Sequence, residues 1–155
     1  MSANPELGVC YYPEHWPEEL WVSDAQNMIK NGIKWVRIAE FAWSRIEPNP
    51  GIFDWNWLDK IVDILGNSGL KIVMCTPTAT PPKWLVDQMP DMVALDKNGQ
   101  ARKFGSRRHY SFSHRGYQKQ SQRITQAVAE RYGQNKFVQA WLSLIHISEP
   151  TRLAI

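Results

Sequence analysis

A short apolar segment that ends abruptly in acidic and aromatic residues recurs along this chain, and it is the feature that most constrains the fold. In residues 35–48, WVRIAEFAWSRIEP, an alternating strand pattern around Arg37 ends before Pro48, which cannot continue a ladder. Residues 7–11 lead in the same way into PEHW, and residues 70–75 lead into TPTATPP. Repeated units of this kind predict parallel strands with the functional residues on the loops that follow them.

Helices are predicted between the strands, from apolar residues spaced three and four apart and from glycines that follow the last turn. The predicted helices cover residues 17–31, a segment that begins near Asp54, a short segment from Pro82, and residues 115–132. Asn98-Gly99 predicts a type I′ hairpin between residues 93–96 and 101–104, and a fourth strand begins near Phe137.

These elements make four strand–helix units of about thirty residues each, apart from the hairpin. A complete (β/α)8 barrel needs about 250 residues, whereas this chain has 155. The alternative, a small doubly wound sheet, predicts a Gly-rich phosphate turn after the first strand, where this chain has YYPEHWPEE. The sequence therefore predicts an α/β fold that is the N-terminal half of a TIM (β/α)8 barrel, truncated after about four βα units.

Composition limits the classes of function. With 43% hydrophobic and 21% charged residues, the chain has the composition of a globular protein with one core. Its net charge of +3 comes from interspersed signs, and the single basic cluster, residues 102–108, is short and interrupted, so we expect no nucleic-acid partner. No secretory leader and no apolar run of membrane-spanning length is present, so we expect a cytoplasmic protein without a membrane partner.

Five sequence blocks resemble family 42 of the glycoside hydrolases, the bacterial β-galactosidases. In order, they are GVCYYPEHWPEELW, WVRIAEFAWSRIEP, GIFDWNWLD, PTATPPKWL and FGSRRHYSFS, and the resemblance covers residues 7–141. It implies hydrolysis of terminal β-D-galactosides with retention of configuration, by two glutamates and without an organic cofactor. It also implies a parent protein that is a homo-oligomer.

The segment after the fourth strand departs from this family. The family continues there into a polar stretch that ends in Asn-Glu and supplies the acid/base, whereas this chain continues LSLIHISEPTRLAI. We therefore divide the chain into barrel, residues 1–141, and a non-native tail, residues 142–155, which resembles translated sequencing-adapter bases. The alternative, a strand prolonged by the apolar residues of the tail, stays open. On either interpretation we expect that both catalytic glutamates are absent and that the chain is inactive.

Five residues on the predicted strand-end loops are candidates for binding a sugar. They are Glu40, Trp43, Trp84, Arg107 and Arg108. A guanidinium offers several fixed donors to neighbouring hydroxyls, and an indole packs against the apolar face of a sugar. By resemblance one arginine of RRHY contacts galactose, with Arg107 favoured. The alternative is that Arg107 pairs with a strand-end carboxylate such as Glu40, which is itself either a hydroxyl acceptor or an ion-pair partner.

No metal site is predicted. Cys10 and Cys75 lie in strands predicted to be buried and lack the spacing of metal ligands, and Ser111 occupies the position where some relatives have a zinc cysteine.

Two alternative functions remain for the chain. One is a non-catalytic galactoside-binding or structural remnant, and the other is a fragment of another retaining barrel glycosidase, such as a mannanase or arabinosidase.

Overall fold

The sheet contains four parallel strands in the order in which they occur along the chain. The computed structural model describes residues 5–106 and 109–143. The strands are β1 (Leu7–Cys10), β2 (Ile33–Ile38), β3 (Lys71–Cys75) and β4 (Val138–Leu142), with the spatial order β1-β2-β3-β4. A doubly wound sheet reverses its strand order at a switch point, whereas each strand here pairs with the next one along the chain. This order is that of a barrel segment.

Helices connect the strands as the sequence predicts. The α-helices are α1 (Trp21–Lys30), α2 (Trp43–Ile46), α3 (Asn56–Asn67), α4 (Lys83–Gln88) and α5 (Arg115–Tyr132). Within the described residues, 3₁₀ turns accompany them at Pro13–His15, Glu18–Leu20, Pro77–Ala79 and Pro90–Met92. The first predicted helix is therefore split, with a 3₁₀ turn at its start. None of the helices within the described ranges has the length and apolar character needed to cross a bilayer.

The two faces of the sheet differ because successive strand residues point to opposite sides. Val36, Ile38, Ile72 and Met74 have no exposed surface and belong to the same core cluster as the apolar faces of α1, α3 and α5. Residues of the opposite face, among them Arg37, are only half-buried. The core therefore lies on the helical side of the sheet, and the other side is open.

The prediction that both cysteines are buried is wrong for Cys10, which is exposed. β1 is an edge strand, and Cys10 pairs in register with Arg37 on the open side of the sheet. Cys75 is buried, and burial raises the pKa of its thiol to about 12. Trp141, in the other edge strand β4, is likewise 42% exposed.

The hairpin is present, but its turn is not of type I′. The amide of Gly99 donates to the carbonyl of Asp96 at 3.0 Å, and Gly99 has a φ of 77°. Asn98 does not adopt the positive φ that type I′ requires, because the Asp96 carboxylate accepts the amides of Asn98 and Gln100 and holds an ordinary turn.

The predicted boundary between barrel and tail, after residue 141, falls within β4. Leu142 pairs with Cys75, and its carbonyl accepts the amide of Thr76 at 2.9 Å, so the ladder extends one residue past the predicted boundary. The rest of the predicted tail, from residue 144 onward, lies outside the described residues.

A buried carboxylate connects the loop after β2 to the last helix. Glu47 has no exposed surface, and its carboxylate accepts hydrogen bonds from the Trp43 indole at 3.0 Å and the Gly51 amide at 2.7 Å. Arg123 of α5 adds an ion pair at 2.7 Å. The backbone carbonyl of Glu47 accepts the indole N–H of Trp84 at 3.0 Å. Three segments that are distant in sequence, residues 43–51, Trp84 and Arg123, therefore meet at one residue.

Replacing Arg123 should lower the stability of the chain strongly. Arg123→Met leaves the Glu47 carboxylate buried without its cation, and breaking such a pair costs about 3–5 kcal/mol. Arg131→Met on the same helix is the matched control, because it removes a half-exposed pair with Asp59 that is worth about 0.2–1 kcal/mol. Urea unfolding followed by circular dichroism measures both. Equal losses in the two variants would contradict the central role of Glu47.

A second prediction concerns Gly66 in α3. A methyl group there would overlap the Phe137 ring, so the ring packs directly on the helix backbone. Gly→Ala normally stabilises a helix by roughly 1 kcal/mol, but overpacking costs about 1–3 kcal/mol. We expect Gly66→Ala to destabilise the chain and to become stabilising in a Phe137→Ala background. Thermal unfolding of the four proteins of this double-mutant cycle tests the contact. Stabilisation in both backgrounds would show that Phe137 is free to move away, and destabilisation in both would show that the cost does not come from Phe137.

Candidate functional site

A cavity of about 660 Å³ lies at the carboxyl ends of the strands. Its lining comes from the loop after β1, the loop after β2, the loop after β3 and the base of the hairpin. The lining includes Tyr12, Arg37, Glu40, Phe41, Phe104, Ser106, His109 and Tyr110. Sites of small-molecule ligands usually have volumes of about 300–1,000 Å³, and this edge of a parallel barrel sheet is where such sites occur.

An ion pair lies on the open side of the sheet, in this cavity. Arg37 on β2 contacts Glu40 just after the strand, with 2.5 Å between Nη2 and Oε2. Burial alone would lower the pKa of Arg37, but the neighbouring charge of Glu40 raises it, so the guanidinium stays charged. The Nε of Arg37 is buried and has no hydrogen-bond partner among the described residues. The pair therefore combines a carboxylate acceptor with donors that are not all used.

The turn between the two members of this pair is strained. Ala39 has a φ of 69°, a left-handed conformation that costs a residue with a side chain about 1–3 kcal/mol. The carbonyl of Ala39 accepts the amide of Ala42 at 3.3 Å, and Ala39 itself is fully buried. This conformation lets Glu40 return over Arg37 instead of continuing the strand.

Aromatic rings form the walls of the cavity. Tyr12 and Phe41 pack on one side, with 5.4 Å between ring centroids. On the other side the His109 ring lies edge-on between Phe104, at 5.2 Å, and Tyr110, at 5.6 Å. His109 is 2% exposed, and its Nδ1 donates to the Ser106 carbonyl at 2.9 Å. A charged floor between aromatic walls suits a ligand that has both hydroxyl groups and an apolar face.

The structure brings some of the predicted site residues together and separates others. Glu40 lies in the cavity, paired with Arg37. Arg107 and Arg108 lie outside the described residues, although their neighbours Ser106 and His109 line the cavity. Their predicted contacts with a sugar or with Glu40 stay predictions.

Neither predicted tryptophan belongs to the cavity lining. Trp43 has no exposed surface, and its indole N–H donates to Glu47, so no face is available for a sugar. Trp84 is half-buried, and its indole donates to the Glu47 carbonyl. Both side chains follow a strand end in sequence, but the buried acceptors of Glu47 turn them toward the core. Their positions favour packing roles over the predicted contact with a sugar.

Sequence reasoning missed Arg37 as a site residue. Its signal was available, because a charged residue between Val36 and Ile38 interrupts a strand that is otherwise buried. The structure also buries both carboxylate oxygens of Glu14, in the turn after β1, and this burial raises the pKa of the carboxyl group. Within the described ranges, no group of three or more His, Cys, Asp or Glu side chains is placed to hold a metal ion.

Comparison with known proteins gives one family. A family model described as β-galactosidase, that of glycoside hydrolase family 42, matches residues 10–148. A β-galactosidase of Thermus thermophilus is 54% identical over 127 residues, which are 82% of this chain and 20% of the relative. The chain thus spans about a fifth of the length of the curated relatives that it matches.

Solved structures agree with this match. The β-galactosidase of the psychrophilic Marinomonas ef1 superposes with a TM-score of 0.86 and 54% identity, over 90% of this chain and 21% of its own. The enzyme of the Antarctic haloarchaeon Halorubrum lacusprofundi gives a TM-score of 0.85 and 47% identity, over 90% and 21%. These alignments confirm the predicted fold, since the four parallel strands correspond to the N-terminal fifth of barrel enzymes. The chain belongs to glycoside hydrolase family 42, the β-galactosidases, and corresponds to the N-terminal fifth of their sequences.

Proposed function

We propose that this chain supplies the N-terminal part of the catalytic barrel of a retaining β-galactosidase and that its cavity is half of the galactose site. The observation that carries the proposal is the Arg37–Glu40 pair at the carboxyl end of β2, in a chain of this family. Active sites of such barrels are built from the loops at this end of the strands. The substrates are then terminal, non-reducing β-D-galactosides.

The pair has the chemistry that a sugar hydroxyl needs. Glu40 offers carboxylate oxygens as acceptors, and its side chain is 11% exposed, so the group is largely desolvated. Arg37 is 31% exposed at its side chain and keeps donors in a fixed plane. Hydrogen bonds to charged partners are the strong ones, and they are strongest where water is excluded. A galactose on this floor would contact both charges.

The bond-breaking groups come from elsewhere in the proposed enzyme. Double displacement requires two carboxyl groups about 5–5.5 Å apart, one as nucleophile and one as acid/base. Glu40 is bound to a cation and therefore suits binding better than proton donation. We infer that both catalytic glutamates belong to barrel segments that follow residue 141 in the parent enzyme. Cytoplasmic location and self-association of the parent enzyme stay predictions from the sequence.

A non-catalytic role is the second candidate for these 155 residues. The observation that favours it is the cavity itself, which has a binding pair, aromatic walls and no second free carboxylate among the lining residues that the structure describes. Binding of a galactoside without turnover by the isolated chain is compatible with both candidates, because half of an active site can bind a sugar without the groups that cleave it. Turnover would separate them.

The isolated chain should not hydrolyse 4-nitrophenyl β-D-galactoside. Loss of nucleophile and acid/base together lowers the rate by many orders of magnitude. Release of 4-nitrophenol by the purified 155-residue chain is compared with buffer alone, and a full-length relative in the same assay is the positive control. Hydrolysis that copurifies with the chain through several columns and is inhibited by galactose would contradict this prediction.

Replacing Arg37 should weaken the binding of methyl β-D-galactoside. A lost charged hydrogen bond is worth about 1.5–3 kcal/mol, which corresponds to roughly a ten- to hundredfold increase in Kd. Calorimetric titration of Arg37→Met is compared with Arg131→Met, the same substitution at an exposed ion pair on α5. An unchanged Kd for Arg37→Met with unaltered circular dichroism would show that the pair is structural. Glu40→Gln, which keeps an acceptor, should lose less affinity than Arg37→Met.

A further inference from the structure

Phe104 is an aromatic side chain that the core does not use. It lies on the hairpin between its tip and its base, lines the cavity and is 48% exposed. Leu95, at the other side of the same hairpin, is also exposed, at 64%, but it does not line the cavity. An exposed aromatic ring at the wall of a cavity offers an apolar contact surface that water does not satisfy. A ligand that covers the ring would remove this apolar surface from water.

The ring is held in place before any ligand arrives. Gly105 has a φ of 84°, and the amide and hydroxyl of Ser106 both donate to the Lys103 carbonyl, at 3.1 and 2.7 Å. The buried His109 ring then packs edge-on against Phe104, with an angle of 72° between the ring planes. The turn and the histidine contact restrict the ring, which reduces the side-chain entropy lost on binding.

The ring and the ion pair contribute different chemistry to one cavity. Arg37 and Glu40 are polar and lie on the sheet, where they contact hydroxyl groups in the proposed function. Phe104 lies on a separate loop and offers an apolar face. The cavity of about 660 Å³ has the size typical of sites for drug-sized ligands, so it has room for a ring beyond a single sugar.

We propose that Phe104 determines specificity for the aglycone, the group attached to the anomeric oxygen of the galactoside, by packing against a flat or ring-shaped aglycone. This inference rests on the proposed function, because it takes galactose to lie on the Arg37–Glu40 floor. The chemical class of ligand that follows is a β-galactoside with an aryl or pyranose aglycone, as opposed to a small alkyl one.

The test compares two ligands and three variants of the 155-residue chain. Calorimetric titration measures Kd for phenyl and methyl β-D-galactoside with the unaltered chain, Phe104→Ala and Phe104→Tyr, and Leu95→Ala is the control in the same hairpin. We expect the unaltered chain to bind the phenyl galactoside about three- to tenfold more tightly than the methyl galactoside, the range of a single aromatic contact. Phe104→Ala should abolish this ratio by weakening the binding of phenyl galactoside much more than that of methyl galactoside, whereas Phe104→Tyr and Leu95→Ala should keep the ratio.

The outcomes separate this inference from the proposed function. Equal affinities for the two ligands, or a phenyl preference that survives Phe104→Ala, would overturn the role of Phe104 while Arg37-dependent binding of methyl galactoside still supports the galactose site. Absence of binding for both galactosides would overturn both. If Phe104→Ala perturbs the circular dichroism spectrum, Phe104→Leu replaces it, since leucine keeps apolar volume but lacks the flat ring, and an unchanged ratio in that variant also counts against the proposal.

Discussion

The buried carboxylate of Glu47 is the constraint on which the rest of the site depends. A charge without exposed surface must be paired and hydrogen-bonded, and Glu47 meets this requirement with Arg123, the Trp43 indole and the Gly51 amide. These partners fix the segment that follows β2 against helix α5. The strained turn at Ala39 lies at the start of the same segment. A turn of this kind persists only where its surroundings determine it, and the Glu47 network provides such surroundings.

The open side of the sheet has a different character at each end of the strands. At the amino end, Glu6 accepts hydrogen bonds from the Trp35 indole at 2.6 Å and from Lys71 at 2.8 Å, and these contacts lower the pKa of the Glu6 carboxyl. At the carboxyl end, the Arg37–Glu40 pair retains unused donors and faces a cavity. In barrel enzymes the amino end serves stability and the carboxyl end serves chemistry. The charged groups of this chain follow that division.

Periodicity and end signals predicted much of the fold. Helix α5 has the predicted bounds, because His114 and Gly133 delimit a regular apolar stripe. Strand positions were also predictable, but the side of the sheet that is covered was not, since an alternating pattern marks two faces without saying which face carries the helices. The predicted burial of Cys10 was wrong for this reason. The burial of Trp43 was not predictable, because its buried acceptor, Glu47, lies four residues later in an ordinary-looking loop sequence.

The hairpin shows how one face of the site can vary while the barrel stays constant. Its base is part of the core: Tyr110 packs on Tyr117 of α5 with 4.4 Å between centroids, and the Ser111 amide donates to the Met92 carbonyl at 2.7 Å. The tip, in contrast, is exposed and makes local turn contacts. Substitutions or insertions beyond the base therefore cost little stability. Because Phe104 lies between this base and the tip, changes in the hairpin can alter what the cavity accepts beside the sugar without disturbing the Arg37–Glu40 pair, which is held by β2 and the Glu47 network instead.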